Sequence, residues 1–499
     1  MNYFLAISNS IRSNQFSRTF SVYTIGKGIS VLLSLFLLPL FTKRIPTYEF
    51  GIIGLLWLVT PLLTNLMSLG MGVGVSLKFF KQNHQTLSNT LYNGLFTITT
   101  VSVFIYLLGY INIGWIQFII DESVTSEIFT LLVISCLFSY YTVIMCGFLQ
   151  NSGRAVYNVV MTILPQLIIV LVTYFLILFI NASYTSYVFG MALGNLITGV
   201  IALGFFLKNY SIRYFQFSIK IIKNLLRIGL PVVPGTIGTI ILASGDRYLI
   251  KSFLGLEAVA IYIFGYRFAE QISQGLFQPF QKALSPVIFK KAAEDDLKGR
   301  IYNIQIINKV TLLFSIIIAV LLVPFHDVMN IMGNISYNAS YLIFMISLIG
   351  IFIYTIAQAE SYSLVFMERT ELTAITVLLG AVVNIVLNIM FIPKYGIVAA
   401  AFTTIIAYLV MFLSRNYFLF RFFKINNLLG LIGRIMPLII YITVFIYIDK
   451  FIEGSVYKYI LKISCLFLYF IFTVKLYPDL KYLIESFSKK EHKIFREKA

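Results

Sequence analysis

Fourteen runs of apolar residues, each long enough to cross a bilayer as a helix, dictate what this chain can fold into. A crossing helix needs about 20 mostly apolar residues. The runs lie at 19–41, 50–75, 90–113, 127–149, 157–180, 184–207, 228–250, 257–279, 303–325, 338–360, 371–393, 396–418, 432–449 and 457–477. Short connections join them, which leaves no room in 499 residues for a globular domain outside the membrane. Inside hydrocarbon each backbone N–H and C=O must be bonded within the protein, and that selects helices for runs of this length. Composition agrees: 12% of residues are charged, 59% are hydrophobic and the mean hydropathy is +0.89. An ordinary soluble domain carries about 25% charged residues. A soluble multidomain protein and a disordered chain are both excluded, and the expected class is an all-α polytopic membrane protein.

The net charge is +18. In a soluble chain that excess suggests nucleic acid; here basic residues are expected to collect on cytoplasmic loops instead, and no nucleic-acid partner is expected. With the N-terminus inside, 27 of the 38 Lys and Arg residues fall in inside segments and six outside. That bias supports an even helix count with both termini cytoplasmic. Arg12 and Arg18 precede the first run with no small-residue cleavage site after it, which reads as a retained first helix. Cys136, Cys146 and Cys465 sit in apolar stretches as buried small hydrophobes. His84, His326 and His492 are scattered and suggest no metal site.

Two stretches resemble each other 209 residues apart: Pro46–Ile52 after the first run and Gly255–Ile261 after the seventh, aligning Gly51 with Ala260. Gly190 and Ala400 align at nearly the same offset. Helices 1–6 and 7–12 therefore read as two copies of one six-helix bundle, pseudo-symmetric about an axis along the membrane normal. The expected division is a cytoplasmic segment 1–18, a first bundle 19–207, a basic cytoplasmic linker 208–227, a second bundle 228–420, two appended helices in 421–477 and a basic cytoplasmic tail 478–499. Gly190-x-x-x-Gly194 and Ala399–Ala401 suit close helix packing. Gly70-x-Gly72-x-Gly74 reads as a flexible helix end, and Asn384 and Asn388 as interhelical hydrogen-bonding residues. Pro61, Pro165, Pro231 and Pro234 mark candidate kinks.

Gly229-Leu-Pro-Val-Val-Pro234, Asp246-Arg247-Tyr-Leu-Ile250 and Gly255-Leu-Glu-Ala-Val-Ala-Ile-Tyr262 resemble the polysaccharide repeat-unit flippases. These form the Wzx-type branch of the multidrug/oligosaccharidyl-lipid/polysaccharide (MOP) exporters. Asn384-Ile-Val-Leu-Asn388, Ile392-Pro393, Tyr395-Gly396-Ile-Val-Ala-Ala-Ala401 and Leu38-Pro39-Leu40-Phe41 with Phe50-Gly51 are similar to other parts of that family. The resemblance covers roughly residues 20–420. It implies a MATE-like fold and no enzymatic activity. It also implies transport of undecaprenyl-diphosphate-linked oligosaccharide across the bacterial inner membrane for surface polysaccharides such as O-antigen of lipopolysaccharide, or capsule. Membrane lipids, a polysaccharide polymerase and a chain-length regulator are the further partners implied.

Charge at the bilayer centre costs about 2.5–3.5 kcal/mol on insertion scales. Lys27, Arg247, Arg267, Lys309 and Lys462 nevertheless lie within the runs. Arg267 stands ten residues beyond Glu257, about 15 Å along a helix and near the midplane. It either meets a substrate phosphate or neutralises Glu270 at i,i+3. Lys27 and Lys309 either face the cavity or snorkel to the cytoplasmic interface. Arg247 is the fourth candidate cation, a tie to a neighbouring helix or a gate, and Lys462 reads as lipid-facing and snorkelling. The acids of residues 1–227 all lie in or beside loops, so the first bundle has no intramembrane carboxylate. Asp246, Glu270 and Glu360 are the acids of the second bundle's runs and the candidates for coupling or gating, with Glu360 the more exposed. A cavity with this balance suits a diphosphate and poorly suits an organic cation.

That balance argues against a multidrug and toxin extruder, which wants an acidic site in the first bundle. A membrane enzyme such as a polymerase would want a catalytic external loop. A peptidoglycan lipid-precursor flippase shares the diphosphate and differs only in headgroup. No Gly-x-x-x-x-Gly-Lys-Ser/Thr occurs, so no nucleotide cofactor is expected; a proton or sodium gradient, or consumption of the product, would supply direction.

Overall fold

The computed structural model describes residues 14–279, 281, 288, 295–425, 427–451 and 455–477. The tail 478–499 and residues 1–13 lie outside the described residues. The first six crossings are α1 Asn14–Arg44, α2 Thr47–Ser68, α3 His84–Ile111, α4 Ser126–Asn151, α5 Ala155–Phe179 and α6 Tyr184–Asn209. α7 is Val233–Ser244, prolonged past Gly245 by Asp246–Leu254. α8 is Leu256–Ile272, continued by one π-helical turn at Ser273–Phe277. α9 is Asp296–Leu322 and α10 is Ser340–Phe366. α11 and α12 are the two arms of Thr370–Phe423 on either side of Gly396. α13 is Leu428–Phe451 and α14 is Ser455–Leu476.

Twelve helices among the described residues are long and apolar enough to cross a membrane. Two features reconcile this with fourteen runs. The 54-residue helix changes direction at Gly396, whose φ of +69° and ψ of −156° are non-helical, a conformation that glycine alone adopts at no steric cost. α8 has only 17 α-helical residues before its π turn. Local chemistry sets the other ends: the Asn83 side chain accepts the Thr86 N–H at 2.9 Å to start α3, and Asp295 accepts that of Lys298 at 3.0 Å to start α9.

α1–α6 form one bundle and α7–α12 the other, with α13 and α14 appended to α9 and α10. Small residues set the packing. A Cβ on Gly194 would stand 2.9 Å from the Pro165 carbonyl, so α6 seats directly on α5. Asn384 donates to Thr404 at 3.2 Å and Asn388 to Asn384 at 3.0 Å, tying α11 to α12 as expected of interhelical asparagines. Gly70, Gly72 and Gly74 depart from the flexible end read from sequence. Gly70 (φ +69°) makes a sharp corner against Gly229, and Gly72 N–H donates to the Tyr140 hydroxyl at 3.0 Å. These glycines are points of close approach. Pro231 lies in the 3-10 turn Leu230–Val232 and Pro234 in the first turn of α7, where a missing N–H breaks no helical bond. The basic segment between the bundles contains the helix Ile219–Gly229, which buries Leu225 and keeps Lys220, Lys223 and Arg227 exposed.

The bundles meet along α2 and α8, the two helices that the internal repeat makes equivalent. A Cβ on Gly51 would run into the Leu256 carbonyl group, and one on Gly54 would stand 3.2 Å from a Val259 methyl. At the same end, Thr42 donates to the Met332 carbonyl at 2.6 Å, Asn334 to the Thr42 carbonyl at 2.8 Å, and Lys251 to the Phe118 carbonyl at 2.7 Å. This end carries the loops with few basic residues.

A half-buried cation cluster between the two bundles

Following the α2–α8 seam inward from Gly51 and Gly54 leads to Trp57 and Arg267. The Arg267 guanidinium carbon sits 4.4 Å over the Trp57 ring centroid. Its Nη1 meets a Glu270 carboxylate oxygen at 2.9 Å, the i,i+3 pair open to it from sequence. The other Glu270 oxygen accepts from Gln274 at 3.1 Å. Gln274 in turn accepts from Lys27 Nζ at 2.9 Å. A polar chain thus runs from α1 through the π turn to α8 and back to α2, crossing the bundle boundary twice. Lys27 is half-buried and bonded across that boundary. Trp57 is fixed by its N–H to the Tyr187 hydroxyl at 2.8 Å and by edge contacts with Phe50 and Tyr187.

The structure brings Lys27, Arg267 and Glu270 together and separates the remaining candidates. Arg247 is 2% exposed; its Nη1 lies 3.4 Å from the Gly54 carbonyl and its guanidinium 5.7 Å from the Tyr266 ring centroid. It is a second cross-bundle contact, nearer the Gly51–Leu256 end. Asp246 turns the other way, into the second bundle: it accepts from Tyr262, and Thr404 donates to it at 3.5 Å. Adjacent residues about 100° apart on a helix serve different neighbours in this way. Lys309 is half-buried on α9, a helix that packs on α10, α13 and α14.

Two sequence readings need correction. Glu360 is fully buried, not the more exposed acid, and is ion-paired with fully buried Arg300. Asn303 donates to Ser363 beside them at 2.8 Å. Nearby, Arg415 is also fully buried, donating to Gln358 at 3.1 Å and Thr376 at 3.2 Å. Arg300 and Arg415 count among the 27 inside basic residues in the sequence, yet α9 starts at Asp296, ahead of its apolar run, and buries Arg300, while Arg415 lies near the end of the 396–418 run and is buried within α12. Lys462 is 4% exposed and paired with Asp449 at 2.7 Å, so it does not snorkel in lipid; with Tyr341 donating to Asp449 at 2.6 Å it fastens the α13–α14 hairpin to α10. Removing one member of a buried pair leaves the other uncompensated and costs about 3–5 kcal/mol. Glu360→Ala should therefore sharply lower the melting temperature of the purified protein, and Arg300→Met with Glu360→Met should restore most of it.

Sequence patterns did not single out Gln274, Trp57 or Tyr187. Their partners lie far along the chain, 247 residues away for Gln274 and Lys27, and an aromatic residue inside an apolar run carries no mark of its own.

The comparisons with known proteins fit this architecture. The model of a family described as "Polysaccharide biosynthesis protein" matches residues 16–292. An uncharacterized membrane protein of Methanocaldococcus jannaschii is 28% identical over 289 residues, and the match spans 56% of each chain, so about half of that relative's length is covered. Among solved structures, Lipid II flippase MurJ in an inward closed conformation superposes with a TM-score of 0.74 at 18% identity, over 92% of this chain and 99% of that one. An inward-facing multidrug resistance MATE family transporter of the MOP superfamily gives 0.62 at 14%, over 82% and 95%. A MOP superfamily transporter from Pyrococcus furiosus gives 0.60 at 14%, over 85% and 96%. At these identities the structural matches establish the fold, and the family model covers more than half of the chain. The chain belongs to the family described as polysaccharide biosynthesis protein, and it shares the fold of the MurJ and MATE transporter structures.

Proposed function

We propose that this transporter flips undecaprenyl-diphosphate-linked oligosaccharide repeat units across the bacterial inner membrane by alternating access. The carrying observation is the Lys27–Gln274–Glu270–Arg267 chain, in which cations of opposite bundles converge at the seam. A diphosphate is the group two such cations attract, and at this depth the bilayer screens them poorly. The polyprenyl tail stays in lipid while the headgroup passes between the bundles. Arg247, on the path toward the Gly51–Leu256 end, is the next cation. Lys309 is the cation on α9, outside the converging pair. Lipid II flippase MurJ has the same fold, and a lipid precursor of peptidoglycan would present the same diphosphate; the family match favours the polysaccharide headgroup. In cells lacking this protein, lipid-linked repeat units should accumulate in the cytoplasmic leaflet and surface polysaccharide should vanish. Unchanged surface polysaccharide would refute the assignment.

The orientation follows from the charge bias: both termini cytoplasmic, the Gly51–Leu256 end outside. Reporter fusions at residue 120 should read outside and at residue 215 inside, and the reverse at either site would overturn the topology.

Glu270 is the acid placed to couple transport to an ion, because it links the Arg267 and Lys27 arms. A proton or sodium ion on Glu270 would free Arg267 for phosphate. Asp246, held by Tyr262 and Thr404, is the second candidate, and Glu360, committed to Arg300, the third. Glu270→Gln should make headgroup translocation in proteoliposomes insensitive to an imposed gradient. A wild-type rate indifferent to both proton and sodium gradients would end the coupling role.

A further inference from the structure

Trp57 is held by a hydrogen bond as well as by packing. Its N–H is bonded to the Tyr187 hydroxyl at 2.8 Å, and Phe50 and Tyr187 meet it edge-on with centroids 6.2 and 6.4 Å away. One indole face is covered by the Arg267 guanidinium, 4.4 Å from the ring centroid. We propose that this face is the platform for the first sugar of the lipid-linked oligosaccharide, and that Arg267 covers it only while the site is empty. The inference rests on the flippase function proposed above.

An aromatic face carries partial negative charge and attracts a cation. The C–H face of a pyranose, polarised positive, is attracted in the same way. A guanidinium is therefore a removable occupant of a surface that also suits a sugar. A diphosphate is the stronger partner for Arg267, since it offers charge-assisted, bidentate hydrogen bonds that an indole cannot. Binding the diphosphate draws the guanidinium off the ring by side-chain rotation. The first sugar is bonded directly to that diphosphate, so a phosphate held by Arg267 sets the sugar beside the vacated face. The Tyr187 hydroxyl accepts the Trp57 N–H and keeps its own proton for a sugar oxygen. A fixed ring loses little conformational entropy on binding, which suits it to recognise the one part of the substrate that lies next to the diphosphate.

The chain has two tryptophans, and Trp115 is 75% exposed. Trp115→Phe therefore leaves Trp57 as the sole emitter. The purified Trp115→Phe protein in nanodiscs would be titrated with undecaprenyl diphosphate and with the same lipid carrying one sugar. The sugarless lipid should shift Trp57 emission as Arg267 departs, and the sugar should add a further, distinct change. The sugar-bearing lipid should bind about tenfold tighter. Trp57→Leu should bind the two lipids alike, and Trp57→Phe should keep part of the preference. A preference that survives in Trp57→Leu, or a sugar that leaves Trp57 emission where the diphosphate put it, would overturn the platform while leaving the flippase function standing. Binding of neither lipid would refute that function, and the platform with it. Should Trp57→Leu not fold, the emission titration alone decides.

Discussion

Arg267→Ala is expected to abolish export while the protein still reaches the membrane. Arg267 is the hinge of the polar chain: it pairs with Glu270 at 2.9 Å and rests on Trp57 from the opposite bundle. Truncating one partner of a fully buried charged contact costs about 2–5 kcal/mol; this contact is half-buried, so the lower end applies, about thirtyfold in substrate binding. Arg267→Lys should retain part of the activity, because charge remains while the bidentate fork is lost. The alanine variant also leaves Glu270 uncompensated. Glu270→Gln added to Arg267→Ala should therefore raise any depressed protein level without restoring export. Restored export would make the pair structural, and full activity of Arg267→Ala alone would remove the residue from the site. Surface polysaccharide and membrane protein level, measured on the same cells, separate these outcomes.

Gly51→Leu should hold the transporter open at its outer end. A Cβ at Gly51 would meet the Leu256 carbonyl carbon at 2.7 Å, and backbone atoms cannot turn aside as a side chain can. The α2 helix itself tolerates the change, since leucine is the better helix former by nearly 1 kcal/mol. The fold should survive, then, and the two bundles should fail to close. Val259 is fully buried against this seam. In a background without Cys136, Cys146 and Cys465, Val259→Cys should resist a membrane-impermeant thiol reagent added outside, and Gly51→Leu should expose it. Transport should fall by more than about tenfold, since alternating access requires both end states. A protected Val259→Cys with normal transport would show that this contact is not the closure.

Apolar run length made the crossings legible, because hydrocarbon forces helices on any segment that long. The repeat made α2 and α8 equivalent, and these are the helices that pack at the seam. Arg267 and Glu270 were legible as a pair because i,i+3 spacing is local. Lys27 was legible as an out-of-place charge, but not its tie to Gln274, which only the docking of two bundles creates. Glu360, Arg300 and Arg415 misled for a different reason. Arg300 precedes its apolar run and Glu360 and Arg415 stand at or near the ends of theirs, where hydropathy alone cannot tell a loop charge from one buried inside a bundle. Lys462 misled likewise: its partner Asp449 lies 13 residues earlier, across the turn of the α13–α14 hairpin.

Reconstituted transport tests the central claim most directly. Proteoliposomes holding the purified protein would be loaded with undecaprenyl-diphosphate oligosaccharide, and headgroup exposure on each leaflet followed with time, alongside uptake of an organic cation. Wild-type protein should move the diphosphate-linked headgroup, Arg267→Ala should not, and the organic cation should stay where it was placed. Extrusion of the cation by a protein that leaves the lipid-linked sugar in its original leaflet would contradict the account.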